Sequence, residues 1–80
     1  MFANNLYMVN TWAGEIKPVK KIALFPEVDQ KGNVFYKIEG QVNTDCFMIS
    51  YSYDKDKAKK DYDQLLEQLI EFQEKNLVTC

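Results

Sequence analysis

The chain contains no histidine, and because all ten of its cations are lysines it contains no arginine either. Without histidine it lacks the side chain whose unperturbed pKa lies nearest neutrality, the usual general base and metal ligand. Without arginine it lacks the planar fork that grips phosphates, carboxylates and guanine edges in two places at once. Cysteine is confined to Cys46 and Cys80, too few for a disulfide framework and, with no histidine to help, too few to close a zinc site. Long apolar runs are absent too. None exceeds four residues, as in Leu6–Val9 and Ile22–Phe25, so no membrane-spanning helix is expected. The first ten residues have no basic stretch or apolar core of the kind a secretory signal needs, and with Cys80 last the prenylation pattern is missing. A cytoplasmic setting is the expectation.

What remains is sufficient for a globular fold. Eighty residues, 46% of them hydrophobic and 14% aromatic, exclude disorder and make one domain over 1–80. A chain of this size buries roughly 60% of its unfolded surface, so apolar side chains left outside argue for a partner. The net charge of −2 belongs neither to a nucleic-acid binder nor to an acidic mimic of one. Residues 1–53 balance five lysines against five acids, whereas 54–80 carry five lysines and seven acids.

The C-terminal third has the clearest pattern. Ala58, Tyr62, Leu65, Leu66, Leu69, Ile70 and Phe72 recur at helical spacing. Asp54 is a good N-cap, with Tyr53 placed to staple onto Ala58. Asn76 can take the left-handed position that ends a helix, returning Leu77 onto Phe72. The spacing therefore predicts a helix over 54–75 and a tail over 76–80.

Before it, 1–53 reads as sheet. Val34, Tyr36, Ile38, Gly40 and Val42 alternate with Phe35, Lys37, Glu39 and Gln41. Phe47, Ile49, Tyr51 and Tyr53 alternate with Cys46, Met48, Ser50 and Ser52. The Asn43-Thr44-Asp45 break joins these two strands, and the turn 29–33, with Gly32 at positive φ, joins 33–42 to Val19–Phe25. Leu6–Trp12 is another strand, separated from the next by Pro18. The expected fold is α+β: a four-stranded antiparallel meander followed by one amphipathic helix packed on one face. That helix should cover Tyr36, Ile38, Phe47, Ile49 and Tyr51. The face with Phe35 and Met48 is then either hidden by curling of the sheet or left as an apolar patch.

Chemistry-bearing constellations are sparse. Asp54, Asp56, Asp61 and Asp63 lack the glycine and closing glutamate of a calcium loop. No two carboxylates pair convincingly at strand ends, and a histidine-type triad cannot be built. The expectation is no enzyme, no cofactor and no metal. Lys17, Lys20, Lys21, Lys31 and Lys37 do lie among Trp12, Phe25, Phe35 and Tyr36, the mixture used by single-strand nucleic-acid binders, but five acids dilute them.

The helix charges are the most unusual feature. Lys55, Lys57, Lys59 and Lys60 crowd its start and Glu67, Glu71 and Glu74 its end, the reverse of what the helix dipole favours. Asp63, Glu67, Glu71 and Glu74 also share one line opposite the apolar stripe, where like charges repel. A small non-enzymatic protein-binding module is the leading reading, in the style of a phage- or mobile-element-type inhibitor of a larger bacterial complex. Its contacts are expected at Asp63, Glu67, Glu71 and Glu74 and at Phe35 and Met48, with a protein partner or a second copy. A single-stranded nucleic-acid binder is the alternative.

Overall fold

The computed structural model describes the backbone of residues 6–78 and the side chains of residues 6–75. Among these, five strands and one helix follow in the order β1 Tyr7–Asn10, β2 Ile16–Val19, β3 Lys21–Val28, β4 Val34–Val42, β5 Asp45–Ser52 and α1 Lys55–Val78. All pairings are antiparallel, but they form two sheets, β1-β2 and β3-β4-β5. The single four-stranded meander is thus corrected to a two-stranded hairpin beside a three-stranded sheet. Pro18, expected to separate strands, lies inside β2 opposite Met8. It is tolerated because β2 pairs on one side only and its other edge needs no N–H at that position. The division falls at Lys20 instead, whose N–H still donates to the Gln41 carbonyl at 2.9 Å. The chain therefore passes from one sheet into the next with little break.

Both expected turns form as the residue types dictate. Gly32 has φ +88° and Asn43 φ +55°, the left-handed conformation that glycine adopts freely and asparagine tolerates. Asp29 organises the first turn, its carboxylate accepting from the N–H groups of Lys31 and Asn33, each at 2.8 Å.

Asp54 caps α1 as its residue type suggests, with Oδ1 accepting from Asp56 N at 3.0 Å and Lys57 N at 3.2 Å. The far end differs from expectation. Asn76 lies within the helix, whose backbone continues to Val78, so the left-handed stop at Asn76 is corrected and residues 76–78 of the expected tail belong to the helix, residues 79–80 lying outside the described residues. The fold-back of Leu77 onto Phe72 and the setting of Cys80 lie outside the described side chains. Glutamine, glutamate and lysine at 73–75 are good helix formers, and no proline follows to forbid another turn.

The core lies where the hairpin, the sheet and the helix meet. Val9, Val19 and Leu69 are buried together, with Tyr7, Ile22, Phe47, Ile49 and Leu65 packed around them. Tyr7 ties β1 to α1 twice, through its ring on Phe72 at 5.4 Å and its hydroxyl donating to Gln68 Oε1 at 2.8 Å. Ile38 and Ala58 are also buried. Of the residues expected in the helix interior, Leu69 is buried, whereas Tyr62 and Leu66 are only half-buried and Ile70 stays exposed. One helix of this width faces the sheet with a narrower stripe than seven apolar positions can fill.

Candidate binding surface

A β-bulge in β5 decides which side chains meet on the open face of the sheet. Ile38 lies opposite Ser50 and Glu39 opposite Met48, so Ile49 is an extra residue between two paired ones. A bulge shifts the alternation of its strand by one position. Phe47 and Ile49 stay with the core, but beyond them Tyr51 lies opposite Lys37 and faces away from α1. Tyr51, expected under the helix, is therefore on the face of Phe35, and Tyr53 follows it. The staple from Tyr53 to Ala58 gives way to contacts with Phe35 and Asp29.

The result is a connected group of rings. Phe35 lies 5.5 Å from Tyr51 and 5.6 Å from Tyr53, Tyr51 lies 6.1 Å from Tyr53, and Trp12 lies 6.2 Å from Tyr51. Trp12 is positioned by its backbone, whose N–H donates to the Met48 carbonyl at 3.0 Å and ties the end of the β1–β2 hairpin to β5. Tyr53 is positioned by its hydroxyl, which donates to Asp29 Oδ2 at 2.9 Å. The backbone N–H of Asn33, then the Tyr53 hydroxyl and the N–H of Lys31, hold the Asp29 carboxyl below its ordinary pKa; the bond to Asp29 pushes the Tyr53 phenol up.

The packing leaves these rings open. Trp12, Tyr53 and Tyr51 are 62%, 54% and 42% exposed, while Phe35 and Met48 are half-buried beneath them. Phe25 continues the patch across β3, with the Lys37 ammonium 5.0 Å from its ring centre. Curling of the sheet does not hide this face: the hairpin packs on the helix side, where Val9 and Val19 meet Leu69.

The lysines do not gather into a groove. Lys37 is paired with Glu39 at 3.9 Å and Lys17 with Glu15 at 3.8 Å. Lys17 sits over Phe47, 5.5 Å from its centroid, which belongs to the core side. The strand register gives the open face Lys21 and Lys37 but also Glu27 and Glu39, so it is electrically balanced.

The acidic strip is a separate surface. Asp63, Glu67, Glu71 and Glu74 line one shallow depression on α1 with Leu66 and Ile70. Two of the four are already matched, Asp63 by Lys59 at 3.0 Å and Glu71 by Lys75 at 3.7 Å. Phe35 and Met48 thus share the open sheet face, Met48 opposite Glu39 and four positions along β4 from Phe35, but they do not share it with the strip, which lies on the helix across the core from them. Trp12 as an anchor of the sheet face, together with Tyr51 and Tyr53, is not legible from period-2 alternation, because nothing in Ile49-Ser50-Tyr51 marks the bulge.

No described helix is long and apolar enough to cross a membrane. No family model matches the chain, and neither a curated protein nor a solved structure is significantly similar to it.

Proposed function

We propose that the chain is a non-enzymatic protein-binding module whose contact surface is the open sheet face, anchored by Trp12, Tyr51 and Tyr53. The observation that carries this is the connected, exposed aromatic group on an otherwise charge-balanced face. Tryptophan and tyrosine dominate the energetics of protein interfaces, because a rigid ring buries much surface for little lost entropy. A small domain with such a face suits covering a surface of a larger assembly, the role of an inhibitor.

A single-stranded nucleic acid is the second reading, since exposed rings also stack on bases. The ring geometry disfavours it. Neighbouring rings cross at 51–77° rather than lying parallel, so they frame clefts for inserted side chains instead of a flat stacking track.

Trp12 is the sole tryptophan, so its fluorescence reports directly on this face. Affinity capture from host extract with wild type and with a Trp12→Ala, Tyr51→Ala variant, followed by titration of the captured protein, tests the proposal. The expected result is a shift in Trp12 emission and a loss of at least about 30-fold in affinity in the variant. Undiminished binding by the variant overturns the proposal. Tight, steeply salt-dependent binding of an oligo-dT strand favours the nucleic-acid reading instead.

A further inference from the structure

The two edges of the three-stranded sheet differ. At β5 the Trp12 N–H already donates to the Met48 carbonyl, whereas among the described residues nothing pairs with β3 on its outer side. Bonded pairs alternate along an antiparallel ladder, and at the turn the Asp29 N–H donates to the Asn33 carbonyl at 2.9 Å. Through the register, Glu27–Phe35, Phe25–Lys37, Ala23–Glu39 and Lys21–Gln41 are then the bonded pairs. The N–H and carbonyl groups of Ile22 and Leu24, and the carbonyl of Pro26, point out of the edge instead. Pro26 stands at an outward position, where its missing N–H costs the pairing with β4 nothing. Along the open face of the same strand run Lys21, Ala23, Phe25 and Glu27. Lys21 and Glu27 are exposed, and neither forms an ion pair with another described residue. About Leu24 the strand is its own complement: Lys21 mirrors Glu27, Ile22 mirrors Pro26, and Ala23 mirrors Phe25.

We propose that β3 pairs antiparallel with β3 of a second copy of this chain, about a two-fold axis at Leu24. Leu24 of each copy exchanges both backbone bonds with Leu24 of the other, and each Ile22 N–H donates to the Pro26 carbonyl across the axis, about four bonds in all. The bond that a donor at position 26 would have made is the one lost from each half. Lys21 lies opposite Glu27 of the other copy, at unbonded positions where side chains approach most closely. The small Ala23 makes room there for Phe25. The charges select this register. Moving the centre by one residue sets Lys21 opposite Phe25, or opposite Asp29, whose carboxylate already accepts from Lys31, Asn33 and Tyr53. Within the paired stretch no acid meets an acid and no lysine a lysine. The contact is isologous and closes on itself, covering an edge that would otherwise invite open-ended pairing. It is small, so the association is weak and concentration-dependent. The axis stands perpendicular to the sheet, so the two three-stranded sheets become one and both aromatic faces look the same way, with the Phe25 rings near the seam. Two such faces in one particle make a bivalent binder. The pairing itself stands whether or not the aromatic face binds protein.

Sedimentation of the full chain in reductant, over a range of concentrations at about 0.05 M and about 0.5 M salt, together with amide hydrogen exchange, gives the test. Wild type is expected to rise from the 9.4 kDa monomer toward twice that mass with concentration, more readily at low salt. As it does so, the Ile22 and Leu24 amides should slow by about tenfold once roughly nine-tenths of the chain is paired. The Ala23 and Phe25 amides, bonded to β4, should be protected at every concentration and serve as the internal reference. Lys21→Glu alone and Glu27→Lys alone should each weaken association about tenfold or more by placing like charges together. An equimolar mixture of the two variants should restore it, since both cross-pairs are then opposite in sign. A wild type that stays monomeric throughout overturns the proposal, as does a dimer in which the Ile22 and Leu24 amides exchange as fast as in the monomer. So does a mixture no better than its components, or an association abolished by Trp12→Ala, Tyr51→Ala and untouched by the two edge variants.

Discussion

Gly40 occupies the middle of β4, where glycine ordinarily costs about 0.5–1 kcal/mol relative to alanine, so Gly40→Ala should stabilise the strand if only backbone preference mattered. The packing reverses that sign. A Cβ at position 40 would lie 2.8 Å from Phe47 Cε2, 3.0 Å from Phe47 Cζ and 3.0 Å from Val19 Cγ2. Ordinary carbon contacts are about 3.5–4.0 Å, so the ring and the valine must together yield more than half an ångström. Neither is free to do so. Val19 is among the most deeply buried side chains, and Phe47 is packed on the Val9, Val19 and Leu69 core with Lys17 over its ring. Overpacking of a filled core costs about 1–3 kcal/mol, which outweighs the backbone gain and leaves a net loss of about 1–2 kcal/mol. For a domain of this length each kcal/mol moves the melting temperature by about 4–8 °C. Thermal and urea unfolding of Gly40→Ala, Phe47→Leu and the double variant measure the effect. The double variant should recover about 1 kcal/mol relative to the sum of the singles, because the smaller side chain makes room for the methyl. A neutral or stabilising Gly40→Ala, or strict additivity, refutes the reasoning.

Leu69→Ala should cost about 2–5 kcal/mol, since Leu69 is 3% exposed at the centre of the core. Ile70→Ala should stay within about 0.5 kcal/mol, and equal urea midpoints for the two variants would remove the basis for the helix orientation. Asp29, held below its ordinary pKa by Asn33, Tyr53 and Lys31, contributes stability that is full above the normal carboxylate range. That contribution is lost as pH falls through the lowered value. Tyr53, with its pKa raised by Asp29, contributes fully below pH 10.0 and loses that contribution as pH rises through the raised value. Carboxyl NMR titration should show Asp29 below 3.8 in wild type and closer to it in Tyr53→Phe; an Asp29 that titrates alike in both contradicts the hydrogen bond. Phe35→Lys combined with Met48→Lys should weaken partner binding while melting falls modestly, because both side chains are only half-buried. Binding as tight as wild type would move the contact away from the sheet face.

Local rules were sufficient for much of this molecule. Asp54 announces the start of α1, Gly32 and the Asn43-Thr44 pair announce the turns, and the alternation of Val34–Val42 reads directly as β4. Each of these depends on residues within a few positions of one another. The acids Asp63, Glu67, Glu71 and Glu74 could be placed on one line from helical geometry alone, and Phe35 and Met48 on one sheet face from the pleat. Three features were settled only by packing. Pro18 sits inside a strand because β2 pairs on one side, a fact about its neighbours and not about proline. The sheet divides at Lys20 because the β1–β2 hairpin packs with the helix, where Val9 and Val19 meet Leu69. Tyr51 and Tyr53 change faces because Ile49 is the odd residue in the pairing of β5 with β4. A strand's own alternation cannot reveal a bulge, since the extra residue is extra only relative to its partner strand. That displacement by one position sets Tyr51 and Tyr53 beside Trp12 and Phe35, so the tertiary structure alone assembled the aromatic surface from rings the sequence had placed on opposite faces.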